Sequence, residues 1–181
     1  MKKNYTLNFL PLALLLALVP LANTQDAGNS PATSAPPPSA GKESHKCSKD
    51  IQGRGDMAMG FSQAKTTHHF ILTKDGGVIS VEANEAKDTE SRDEIRMHLS
   101  HIAKAFAEGD FDIPMFVHDQ VPPGVPVMKS KKSGIQYRFE ETSLGGKVVI
   151  ATRDAEALSA IHDFLSFQIR EHKTGDSLGV R

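Results

Sequence analysis

An α+β fold is predicted for this chain: a four-stranded, mostly antiparallel sheet with two helices packed on one face. Three observations carry that expectation. Two stretches alternate in polarity around Gly-Gly pairs, and each is followed by a segment with apolar residues at helical spacing. The two halves also align, with Phe70 matching Phe139, Ile79 matching Val148 and Val81 matching Ile150, a weak duplication of a hairpin-plus-helix unit. At 181 residues, the chain has room for one such domain and a tail.

The first hairpin is expected over Thr67–Ala83. Phe70 and Leu72 alternate with His69 and Ile71, Asp75-Gly76-Gly77 supplies the turn, and Ile79 and Val81 continue on the return strand. His68 shares the face of Phe70 and Leu72, which is the core face, while His69 points the other way. A helix follows. Ser91-Arg92-Asp93-Glu94 fits a capping box, Ile95, Leu99, Ile102 and Phe106 form one apolar stripe, and Gly109 is a suitable stop.

Residues 111–133 show no clear period. The stretch is apolar and carries Pro114, Pro122, Pro123 and Pro126, which stiffen it. A connection of this length in a compact domain is usually functional, so it is expected either to hold a ligand or to cover an open end of the sheet. The second unit then repeats the first. Ile135, Tyr137 and Phe139 alternate, Gly145-Gly146 turns, Val148 and Ile150 return, Asp154 caps a helix, and Leu158, Ile161, Leu165 and Ile169 form its stripe.

The segments flanking this domain differ in character. Lys2 and Lys3 precede an apolar run from Phe9 to Leu21, which has the length of a secretory core and falls short of a comfortable bilayer span. Residues 1–24 therefore read as a signal peptide, cut somewhere between 22 and 27, with a retained anchor as the alternative. The mature protein is expected in the periplasm or outside the cell, with no stable membrane span. Residues 25–56 are rich in Pro, Ala and Ser and read as a disordered tether. The domain occupies 57–176, and 177–181 is a tail. His45 and Cys47 lie in the tether, and Arg54-Gly55-Asp56 at its end reads as a chance tripeptide.

Four segments of the domain resemble a family of small bacterial proteins: those containing His68-His69-Phe70, Asp112-Ile113-Pro114-Met115-Phe116-Val117-His118, Pro122-Pro123-Gly124-Val125-Pro126, and Phe167-Gln168-Ile169-Arg170-Glu171-His172-Lys173-Thr174-Gly175-Asp176. The resemblance spans about residues 57–176. Some members of that family carry the label aspartate carbamoyltransferase. That enzyme requires a Ser-Thr-Arg-Thr-Arg-like phosphate loop and two α/β domains of about 150 residues each. This chain has neither, so the resemblance transfers no site residue.

Composition removes several function classes. A balance of 21 basic and 22 acidic residues argues against nucleic-acid binding. One Cys excludes an internal disulfide framework and a Cys-rich metal centre. There is no Gly-x-Ser-x-Gly elbow and no Gly-rich phosphate loop, so no catalytic residue is assigned. An acidic residue near His118, such as Asp110, Asp112 or Asp119, offers only a thin case for acid–base chemistry.

The residues that point to chemistry are histidines and methionines. Imidazole is the commonest metal ligand, and thioether adds a preference for Cu(I). His98 and His101 are three apart on the first helix, Met115 and His118 lie on the stiff connection, and His68 faces the core. The candidate metal ligands are therefore His98, His101, Met115, His118 and His68, with a copper-type ion as the expected cofactor. His162 reads as a hydrogen-bonded core residue, and His172 as a cation at a helix C-terminus. The alternative is a non-catalytic, self-associating module. Phe164 and Phe167 fall off the second helix's stripe and would form an apolar patch for a homodimer.

Overall fold

A computed structural model describes residues 53–181. Strands β1 (Thr66–Thr73) and β2 (Gly76–Ala83) form the first hairpin, with Phe70 opposite Ile79. Strands β3 (Ile135–Glu141) and β4 (Gly145–Thr152) form the second, with Phe139 opposite Val148. All pairings are antiparallel and the order is β1-β2-β4-β3. The hairpins join where Ile79 pairs with Val148. These two residues are also each other's counterparts in the duplicated sequence, so a pseudo-twofold axis passes between them. Phe70, Ile79, Val148 and Phe139 make one apolar row across the sheet, on the face that the helices cover.

The Gly-Gly pairs do not make the turns. Gly76-Gly77 opens β2 and Gly145-Gly146 opens β4. The reason is steric: a Cβ on Gly77 would collide with the Leu165 side chain, so a bare backbone lets a helix settle onto the strand.

Helix α1 (Thr89–Glu108) begins earlier than the capping box suggested. Asp88 is its N-cap and accepts from the Ser91 backbone N–H at 3.0 Å, while the Ser91 hydroxyl, itself buried, donates to the same carboxylate at 2.8 Å. Gly109 ends the helix at φ +80°, as expected. Between α1 and β3 the chain is not a loop. It forms α2 (Asp112–His118) and α3 (Val125–Ser130), then a 3-10 turn at Lys132–Gly134. The prolines do not prevent this. Pro114 and Pro126 each fall in a first turn, where no intrahelical N–H is needed and the fixed φ favours a helix.

Helix α4 (Ala155–His172) is capped by Asp154, which accepts from the Glu156 and Ala157 amides. Helix α1 packs chiefly on β4 and β3, whereas α4 packs on β1 and then β2, so each hairpin carries the helix of the other unit. Phe164 is 1% exposed, contrary to its expected place on an outer patch. It meets Phe106 and Phe111 edge-on in the core, because α3 and the start of α2 add a wall that the stripe of α4 alone does not reveal.

Both ends of the domain extend past their expected limits. Residues 53–59 are helical. The Arg54 Nε–H donates to Val117 O at 2.9 Å, and Asp56 accepts from the Gln63 amide at 2.9 Å, so this stretch belongs to the fold and not to a tether. At the other end, Asp176 accepts from the Phe70 amide at 3.0 Å, and the Arg181 amide donates to Leu72 O at 3.0 Å. The terminal segment thus runs along the outer edge of β1. The proposed signal peptide, most of the tether, His45 and Cys47 lie outside the described residues. Among the described residues, no helix is long and apolar enough to cross a membrane.

Candidate functional site

Between the helix-facing side of β1–β2 and helices α1, α2 and α4 lies a cavity of about 80 Å³. A single water needs about 10–15 Å³ of such space, and a dry cavity that takes benzene has about 150 Å³. The volume therefore suits a few waters or a ligand of a few heavy atoms. Its wall is mostly aliphatic and aromatic, but four imidazoles project into it, those of His68, His98, His118 and His172, together with Gln168 and Met59. No Asp or Glu lines it.

Each histidine arrives from a different element. His68 is on β1, on the core face with Phe70 because strand residues alternate. His98 sits one position before Leu99 on α1, where the flank of the apolar stripe turns inward. His118 is the last residue of α2, and His172 the last of α4. The His118 and His172 rings meet edge to face with centroids 5.0 Å apart. The His172 and His68 rings lie parallel at 6.0 Å. Phe61 packs edge-on against His98 at 5.7 Å.

Burial keeps all four rings neutral. Desolvation pushes His68 down to about 4, helped by the neighbouring His69 and opposed by Asp56. Desolvation, with His68 and His101 nearby, takes His98 to about 4. Desolvation, with His118 and His68 adding to it, takes His172 to about 3. His118 is also lowered, mainly by desolvation and slightly by Arg54, while its bond to Gln168 and the charge of Glu171 pull the other way. A neutral ring keeps one nitrogen lone pair free to act as an acceptor or a ligand.

With the amide oriented as it stands, Gln168 Oε1 lies 2.9 Å from His118 Nε2 and accepts its proton, which leaves the Gln168 Nε2 donor buried without a partner among the described residues. His118 Nδ1 is then a bare acceptor, and it is buried with no hydrogen-bond partner among the described residues. His68 Nε2 is likewise buried with no hydrogen-bond partner among the described residues. Buried polar atoms without partners are uncommon, and three in the wall of one cavity, on His68, His118 and Gln168, mark it as a place where something is to be bound.

Three of the five expected ligands, His68, His98 and His118, therefore converge on the cavity. Two do not. His101 is exposed, because one further helical step takes it past the flank that His98 occupies. Met115 is half-buried and outside the cavity wall, although it lies three residues before His118 on α2. Met59 is the methionine that lines the cavity instead. Residue-type reasoning missed His172 and Gln168, since their roles depend on how the end of α4 meets α2. The one signal was the spacing of Gln168 and His172, four residues apart and so on one helix face.

His162 is the hydrogen-bonded residue it was expected to be. Its Nε2 faces Thr73 O at 2.9 Å and Gly76 O at 3.1 Å, bracing the first hairpin turn. Asp110, Asp112 and Asp119 are all exposed, Asp110 accepts from the Asp112 amide, and none of the three partners His118. Among the described residues, no three His, Cys, Asp or Glu side chains stand ready-arranged around a metal ion.

No protein-family model, no curated protein and no solved structure matches this chain.

Proposed function

We propose that this chain is an exported, non-catalytic binding module that admits a ligand of a few atoms into the histidine-lined cavity. The observation that carries the reading is the pair of buried, unpartnered nitrogens, His118 Nδ1 and His68 Nε2, in the wall of one apolar cavity. An apolar pocket with a few convergent polar groups is the usual form of a small-ligand site. The ligand must offer electron-pair acceptance or a hydrogen-bond donor to those nitrogens. The cavity wall contains neither a hydroxyl or thiol nucleophile nor a carboxylate that would turn over a substrate, which favours binding over catalysis. Export is supported by Lys2, Lys3 and the apolar run that follows them.

The test is a titration followed by the ring-nitrogen NMR signals of the histidines, with silver(I), zinc(II), methanol and formamide as probes. At least one probe is expected to move the His68 and His118 signals together while leaving exposed His101 in place, and to raise the melting temperature. If no probe perturbs either ring, the cavity is a packing feature and the reading fails. Fusion of residues 1–56 to a reporter active only outside the cytoplasm tests export separately.

A further inference from the structure

We infer that the ligand of this cavity is a soft monovalent metal ion of the Cu(I) type, held first by His118 Nδ1 and His172, with Met59 able to add a thioether. This rests on the binding reading above and names the ligand. Four features of the cavity converge on it.

The first is reach. Metal–imidazole nitrogen distances are about 2.0–2.1 Å and a ring nitrogen lies about 1 Å from its own centroid, so two rings sharing one ion have centroids up to roughly 6 Å apart. His118 and His172, edge to face at 5.0 Å, fall within that limit, whereas the His68 ring is stacked parallel on His172 at 6.0 Å and does not turn a lone pair to the same ion. The second is orientation. A metal-binding histidine almost always donates its other ring N–H to a carboxylate, carbonyl or water, which fixes the tautomer and turns the free nitrogen to the ion. The bond from His118 Nε2 to Gln168 Oε1 does this, and it aims an unpartnered Nδ1 into the site.

The third is charge. The solvation cost of burying an ion grows with the square of its charge, and no Asp or Glu lines the wall to offset a divalent ion. All the donors are neutral, so a single positive charge is the one this cavity tolerates best. The fourth is softness. A thioether sulfur beside imidazoles selects Cu(I) over the harder divalent ions, and Met59 is in the wall. Cu(I) also accepts two or three ligands, so the rings need not present a complete tetrahedral set. That is consistent with the lack of any ready-made group of three among the described residues.

The experiment uses the full chain with Cys47→Ser, which removes the tether thiol as a rival ligand. Cu(I) is titrated anaerobically against a chromophoric Cu(I) chelator, and zinc(II) is titrated in parallel. One equivalent of Cu(I) is expected, bound far more tightly than zinc. His118→Ala and His172→Ala should each weaken it by roughly the 10–100-fold that even a supporting residue of a metal site can cost, or more. Gln168→Leu should weaken it with every ligand retained, and exposed His101→Ala should leave it unchanged. Met59→Leu, which keeps the volume, guards against misreading a folding defect and should still reduce Cu(I) affinity. Equal affinity for zinc, loss of all binding in the Cys47→Ser chain, or undiminished binding in His118→Ala and His172→Ala would each overturn the inference. Zinc, methanol or formamide binding without Cu(I) binding would sink this inference alone and leave the binding reading standing.

Discussion

His118 and Gln168, 50 positions apart, are joined by a 2.9 Å hydrogen bond inside the domain, from the last residue of α2 to the inner face of α4. That bond sets the tautomer of one ring, and with it which nitrogen faces the cavity. Much of the behaviour of this protein follows from imidazoles held neutral in that way.

Stability should depend on pH through those rings. His68, His98 and His172 titrate at about 4, 4 and 3 in the folded state, against 6.5 when solvated. Between those values the unfolded chain binds more protons than the folded one, so folding stability rises with pH from about 3 to 6.5 and is fully present above. Moving one histidine that far corresponds to roughly 3–5 kcal/mol at most. The charged groups that face the cluster modify this only in part: Asp56 and Glu171 favour protonation, and Arg54 opposes it. Urea unfolding from pH 4 to 8 is the measurement. A flat profile would show that the rings are solvated.

The core position of Phe164 separates packing from self-association. Phe164→Ala should cost about 3–5 kcal/mol, as for other fully buried aromatics. Phe167 is half-buried with its ring edge-on to His118 at 4.9 Å, so Phe167→Ala should cost less and shift the His118 ring signals. Denaturant melts and sedimentation velocity report both. A change of oligomeric state without loss of stability in Phe164→Ala would restore the outer-patch reading.

Helix α3 lies against α4 through Gly124. This residue has φ +82°, and a Cβ there would collide with the Ala160 carbonyl oxygen. Gly124→Ala should therefore destabilise by more than about 1 kcal/mol. Gly134→Ala, with open space around it, should be nearly neutral. Comparable melting temperatures for the two variants would contradict the close approach.

The C-terminal segment is predicted to guard the edge of β1. The Asp176 carboxylate, which accepts from the Phe70 amide and pairs with the His69 ring at 2.9 Å, is only 10% exposed, so Asp176→Ala should cost roughly 1–3 kcal/mol. Deleting residues 174–181 should bare the strand edge and promote association through it. Light scattering of the deleted chain checks this, and a monodisperse monomer would argue against it.

Arg54 tests where the domain begins. Loss of its bond to Val117 O in Arg54→Ala should lower stability by about 1 kcal/mol. A residue in a free tether would have no effect, so an unchanged urea midpoint would return residues 53–56 to the linker.

Local patterning by itself determined the elements of this protein. The polarity of residues 66–83 and 135–152, the stripes on α1 and α4, Gly109, the Asp154 cap and the duplication all express short-range rules, in which a side chain's partner is one strand or one helical turn away. The inward face of His68 was legible for the same reason. What only the tertiary structure decided was everything that required two distant segments to meet. Asp88 displaced Ser91 as the cap of α1, although both fit local rules. The prolines of residues 111–133 became helix starts once α2 and α3 had α4 to pack on. Phe164 went inward for want of an open side. His101 and Met115 turned out of the cavity while His172, Gln168 and Met59 turned in, because the site lies where the ends of α2 and α4 come together beneath β1. A sequence records which donors a chain owns, but burial, tautomer and mutual distance arise only when separate elements are packed into one volume.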